Sequence, residues 1–174
     1  MNLLSIFAIT LASITFYVGI YHLVIFFLRK TDKTNLFFAL TCFSIGFYDV
    51  ICALLYNVAS SYEGVYYQRF QIIALSFFTL SLNWFILFYF SLKKRLVPCI
   101  FAFFAFIVII VQFIDRSNFT WKLNETLVKS FTLPLLNYRI TYYEMKQGIF
   151  TDLCSIFLII TFIYLIYLSV KSYK

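Results

Sequence analysis

Apolar residues along this chain fall into five runs, four of them closed by charged residues. The run over 3–28 carries no charge and stops at Arg29-Lys30. The run over 36–58 contains a single acid, Asp49, and the run over 70–92 is uncharged and ends on Lys93-Lys94-Arg95. Those over 96–114 and 149–170 are bounded by Asp115 and Lys171, with Pro98 in the first turn of the fourth. A helix rises about 1.5 Å per residue, so about 20 apolar residues cover the roughly 30 Å of a bilayer's hydrocarbon. The pattern predicts an all-α fold: a polytopic membrane helix bundle with five transmembrane helices, forming a single membrane domain over residues 1–174.

Within the first four runs the small and polar residues recur at steps of three and four, whereas the middle of the fifth does not fit such a stripe. Ser5, Ala8, Ala12, Thr15, Gly19 and His22 form one such stripe; Asn35, Ala39, Cys42, Gly46, Asp49, Ala53 and Tyr56 form a second. The third run offers Ser76, Thr79 and Asn83, and the fourth Ala102, Ala105, Ile109 and Gln112. Lipid tails do not drive helices together, so membrane helices meet on small residues and a few polar groups. The stripes are therefore expected to face one another, and the Phe, Leu and Ile between them to face lipid. This places His22, Asp49, Asn83 and Gln112 in the interior as buried polar candidates for receiving a signal or a ligand. Helix rise puts His22 at the level of Asn83, and Asp49 at that of Thr15, Thr79 and Gln112. An acid so deep needs neutral hydrogen-bond partners, since no Lys or Arg shares its level.

The connection over 115–148 is long for a structureless loop in a bundle. Leu136, Tyr138, Ile140 and Tyr142 alternate with Asn137, Arg139 and Thr141, the period of a half-buried strand, and Leu133-Pro134 could turn the chain before it. A short strand or hairpin over the mouth of the bundle is one reading, and interfacial aromatics the other. Trp121, Tyr138 and Tyr142 are its candidate functional residues.

Composition sharpens this picture. The 174 residues are 63% hydrophobic and 12% charged, whereas a soluble domain is about half apolar and about a quarter charged. A single His cannot build a multi-histidine metal or bis-histidine haem site, so neither metal nor cofactor is expected. The four cysteines sit in or beside the runs without C-x-x-C spacing and read as small apolar fillers. The net charge of +7 comes largely from Arg29, Lys30, Lys33, Lys93, Lys94, Arg95, Lys171 and Lys174, which fall on one side of the alternating runs. Cytoplasmic loops hold the Lys/Arg excess. That puts the protein in the cell's inner membrane, with the N-terminus and the 115–148 connection outside and the C-terminus in the cytoplasm, and makes nucleic acid an unneeded partner. The first run lacks a basic start and is longer than a signal-peptide core, so it is expected to persist.

Several stretches carry a family likeness. Tyr17 to Asp49, with Arg29-Lys30-Thr31-Asp32-Lys33 and Leu36-Phe37-Phe38-Ala39-Leu40, resembles the opening of the seven-transmembrane sensory region at the N-terminus of bacterial histidine kinases and related cyclases. Tyr67-Gln68-Arg69-Phe70-Gln71, Trp84-Phe85-Ile86-Leu87-Phe88, and Tyr143-Glu144 through Gly148 are similar to later parts of that region. The resemblance implies a sensor, not an enzyme, that passes an external or membrane signal to a cytoplasmic kinase, cyclase or phosphatase output domain or partner. The lipid bilayer is its other partner, with a homodimer as a further form. The chain departs from the family in having five runs rather than seven and no output domain, so the expectation is a truncated module, a stand-alone partner or a fragment of a longer frame. No P-loop, phosphoacceptor helix or G-x-S-x-G occurs. The competing reading is a small transporter or ion-pathway subunit built around Asp49, although no inverted repeat is visible.

Overall fold

The computed structural model describes residues 2–92, 96–115, 119–133 and 138–172. In chain order the elements are α1 (Leu3–Leu28), α2 (Lys33–Leu55), α3 (Ser61–Tyr89), α4 (Leu96–Ile114), β1 (Trp121–Leu133), β2 (Tyr138–Gln147) and α5 (Ile149–Ser172).

Helix starts are fixed by polar side chains that satisfy otherwise unpaired N–H groups. Asn2 accepts from the Ser5 N–H at 2.9 Å and Asp32 from that of Thr34 at 3.1 Å. Ser60 accepts from the Glu63 N–H at 3.3 Å, while the Glu63 carboxylate accepts from Ala59 at 3.4 Å, a variant of the capping box. This cap starts α3 well before the apolar run at Phe70, and the polar turns so added carry Gly64, Gln68 and Arg69. At its other end α3 closes with Ser91 at φ 52°, the Ser91 and Leu92 N–H groups bonding back to Phe88 and Leu87.

Helices α1, α2, α3 and α5 are long and apolar enough to cross a membrane. The apolar segment of α4, Pro98–Ile114, is shorter. These helices are compatible with a membrane protein, and large apolar side chains such as Phe7, Leu11, Phe103 and Ile163 stand exposed on their outer faces, where lipid would cover them.

The fold is not purely all-α. Between α4 and α5 the chain forms an antiparallel hairpin, β1 on β2, running from Trp121 opposite Gln147 to Leu133 opposite Tyr138. Residues 123–125 bulge out between the Lys122–Lys146 and Thr126–Met145 pairs. The physical reason is local: this stretch has no apolar stripe of helical period, and Val128, Phe131, Ile140 and Tyr142 favour a pleated surface. The alternating residues 138–142 lie in β2; Pro134, Leu136 and Asn137, invoked for the turn and the strand's start, lie outside the described residues.

The helices pack in series, α1 on α2, α2 on α3 and α3 on α4, while α5 touches α3 and the hairpin. The first two contacts use the small-residue stripes. Ser5, Ala8, Ala12 and Gly19 are buried, as are Ala39, Cys42, Gly46 and Ala53. Helices α4 and α5 instead meet through phenyl rings, with Phe104 centred 3.8 Å and Phe101 5.2 Å from Phe157.

Candidate functional site at the hairpin root

An isolated two-stranded hairpin is marginal in water, so this one depends on how it is fastened to the helices. Gln68, on the early turns of α3, acts as an extra strand partner. Its Oε1 accepts from the Met145 N–H at 2.9 Å and its Nε2 donates to the Met145 carbonyl at 3.3 Å. One helical turn earlier, Gly64 lets the backbone of Tyr143 approach so closely that an added Cβ would collide with the Tyr143 carbonyl oxygen. Val65, Trp121 and Met145 form a buried cluster with Ile72 packed against it.

Helices α4 and α5 join the same knot. The Trp121 indole N–H donates to Gln112 Oε1 at 3.1 Å. The Thr120 amide and hydroxyl both donate to the Asp115 carboxylate, and Arg69 donates to the Asp115 carbonyl at 2.8 Å. The Thr120 carbonyl accepts from the Gly148 N–H at 2.8 Å and from the Thr151 hydroxyl at 2.7 Å. A buried neutral hydrogen bond stabilises by about 1 kcal/mol net, but losing one partner costs about 1–3 kcal/mol. The hairpin therefore cannot shift without disturbing the ends of three helices. Two donors in this knot, Gln112 Nε2 and Arg69 Nε, are buried without an acceptor among the described residues.

Beside the root lies a cleft of about 400 Å³ bounded by Gln68 and Asp152 on the helices and by Leu127, Lys129 and residues 144–147 on the hairpin. Lys129 pairs with Glu144 at 2.6 Å and Lys146 with Glu125 at 2.7 Å. The Glu144 carboxylate raises the Lys129 ammonium above its ordinary value, and partial burial, then Glu144, raises the Tyr142 phenol. Walls carrying both signs of charge suit a small zwitterionic or charged ligand. Among the described residues no three His, Cys, Asp or Glu side chains come together as a metal would need.

The structure joins Trp121 to Gln112, a pair that sequence spacing does not connect. Tyr142 packs edge-on against Tyr56 at 5.2 Å. Tyr138 pairs through its backbone with Leu133, and its side chain lies outside the described residues. The intramembrane candidates are not brought together. His22 bonds Asn35 rather than sharing a level contact with Asn83, which donates to the Thr79 carbonyl of its own helix at 2.7 Å and whose buried Oδ1 has no partner among the described residues.

Asp49 is half-buried, and among the described residues it makes no hydrogen bond or ion pair. The expected neutral partners are engaged elsewhere. The Thr15 and Thr79 hydroxyls donate to carbonyls of their own helices, as helical Thr readily does, and Gln112, whose Oε1 accepts from Trp121, makes no hydrogen bond to Asp49 among the described residues. Gln68, Gly64, Asp115, Thr120 and Thr151 escaped the sequence reading. Their available signal was the Ser60–Glu63 capping pattern, which moves Gly64 and Gln68 from a loop onto a helix.

No family model, curated protein or solved structure matches this chain.

Proposed function

We propose that the chain is a membrane-embedded sensory and signal-transduction module without catalytic activity of its own. All five helices cross the plasma membrane, α4 doing so with its 19 residues at about 28 Å of rise. The N-terminus and hairpin face outward and the C-terminus faces the cytoplasm, as the distribution of Lys and Arg favours. A signal received at the hairpin passes to a cytoplasmic kinase, cyclase or phosphatase output domain or partner, the plan of the sensory regions that the sequence resembles.

The observation that carries this reading is the root itself. A ligand in the cleft touches hairpin residues on one side and Gln68 and Asp152 on the other, and the hairpin is hydrogen-bonded to the ends of α3, α4 and α5. A ligand shifts such a system only by its differential affinity for two arrangements. A tenfold shift needs about 1.4 kcal/mol, about the value of one root hydrogen bond. On this reading the geometry lets a small ligand move a helix equilibrium.

The test is a fusion of this chain to a histidine-kinase output domain. Trp121→Phe, which keeps the ring but removes the donor to Gln112, and Gln68→Leu are expected to change kinase output several-fold while membrane insertion stays intact. Output identical to wild type for both variants removes the sensory reading. A reporter joined after Lys174 checks the orientation, and activity on the outside overturns it.

A further inference from the structure

At the end of the bundle remote from the hairpin, three polar side chains form a chain of hydrogen bonds. The Asn35 amide donates from Nδ2 to Asp32 Oδ2 at 2.7 Å, and His22 Nδ1 lies 2.7 Å from Asn35 Oδ1. A carboxylate only accepts, so the NH₂ of Asn35 must face Asp32 and its oxygen must face His22. His22 is therefore the donor through Nδ1, and in the neutral ring its Nε2 bears the lone pair. Nε2 has no protein partner among the described residues, nor is it one of the buried unpartnered atoms, so it is accessible.

The ring stands on a cavity of about 220 Å³. Its polar side is His22, Thr34 and Asn35, and its other side is Phe38, Phe85 and Tyr89. Phe38 is edge-on to His22 at 4.4 Å and tilted against Phe85 at 5.2 Å, so the apolar wall is a fixed aromatic corner. The nearby cation Lys33 is drawn away over the Phe88 ring at 5.8 Å and does not line the cavity.

We infer that this cavity is a second binding site, for a single-ring aromatic hydroxyl compound of the phenol or hydroquinone class that donates its O–H to His22 Nε2. Each feature selects part of that ligand. Drug-sized ligands occupy roughly 300–1,000 Å³, so this volume suits one ring rather than several. Aromatic walls favour a ring in edge or offset contact. A lone pair at Nε2 rejects carbonyls and carboxylates, which bring lone pairs of their own, and accepts a hydroxyl. Lying at a helix end between apolar faces, the cavity suits a compound that partitions into lipid. This site does not depend on the sensory reading of the hairpin.

The experiment uses the full chain labelled with ¹⁵N-histidine in phosphatidylcholine nanodiscs. The chain contains one His, so the imidazole signals belong to His22. The free protein is expected to show the Nδ1–H tautomer. Titration with 4-methylphenol should move the Nε2 resonance saturably toward a hydrogen-bonded position, and 4-methylanisole, which has the ring without the donor, should not. Asn35→Ala should mix the tautomers and weaken the phenol response about tenfold. An Nε2–H tautomer in the free protein, an equal response to the anisole, or a drift that never saturates would each overturn the inference.

Discussion

The α1–α2 pair and the α4–α5 pair are made from similarly greasy helices joined in opposite ways. In the first, glycines and alanines bring backbones together: a Cβ on Gly46 would lie 2.8 Å from the Phe16 ring, and one on Gly19 3.0 Å from Phe43. Side-chain hydrogen bonds lock the same pair, with Ser5 donating to the Ala53 carbonyl at 2.9 Å and Asn57 donating to Ser5 at 2.6 Å. In the second, Phe101, Phe104 and Phe157 hold the helices apart, and a gap of about 60 Å³ remains among α3, α4 and α5. What fastens this half is the hairpin root, through Asp115, Thr120 and Thr151. One half is zipped along its length and the other is pinned at one end, an asymmetry that the proposed sensory role would use.

Four substitutions break or sharpen that contrast. Gly64→Ala should have the largest effect, because the obstacle is a backbone carbonyl that cannot rotate away. We expect a loss of about 3 kcal/mol or more and undocking of the hairpin, read as a red shift of the Trp121 emission in a Trp84→Phe background; unshifted emission would deny that the hairpin is the brace. Gly46→Val should cost about 1–3 kcal/mol by forcing the Phe16 ring aside, lowering the unfolding midpoint in a mixed-micelle denaturation while Trp121 stays buried. A fall in Trp121 burial as well would show the two halves to be one cooperative unit. Ala105→Val projects into the gap, which takes up the added volume, and should cost less than the about 1–3 kcal/mol of an overpacked core; a loss on the scale of Gly46→Val would mean the gap is not free.

Glu125→Gln should do least. Hydrogen bonds from Lys146, and then Lys122, hold the Glu125 carboxyl below its ordinary value, on a fully exposed side chain. A lowered folded value adds stability above about pH 4.3, the unfolded carboxyl value, and that contribution is lost as pH falls through the folded one. Exposed pairs contribute little, so wild type and variant should show superimposable unfolding midpoints near pH 7. A clear separation would make the bulge at residues 123–125 a structural anchor.

Much of the helical architecture was legible without coordinates. The α1 run was read to its ends because the transition from Leu28 to Arg29 is a transition from oil to charge. The start of α3 is not legible from the apolar run at Phe70, because the turns from Ser61 to Arg69 are more polar and only the Ser60–Glu63 cap marks them as helix. The stripe of Ser5, Ala8, Ala12 and Gly19 was visible because small residues at helical spacing serve one purpose in lipid. The hydrogen-bond partners of Asp49 are not legible in the sequence, because counting rise along an axis gives depth but not the direction of a hydroxyl, and helical Thr can satisfy itself on its own turn.

The sequence by itself determined which segments are apolar and helical, where the small faces lie, and that residues 138–142 alternate as a strand does. These properties depend on neighbours within about one turn, so they can be read from spacing alone. Only the tertiary structure decided that β2 docks on Gln68 and Gly64, that Gln112 serves Trp121, and that His22 is held by Asn35 and Asp32. Apart from the local Asn35–Asp32 bond, each of those bonds joins residues from different elements, and its existence depends on angstrom-level approach that no periodicity encodes.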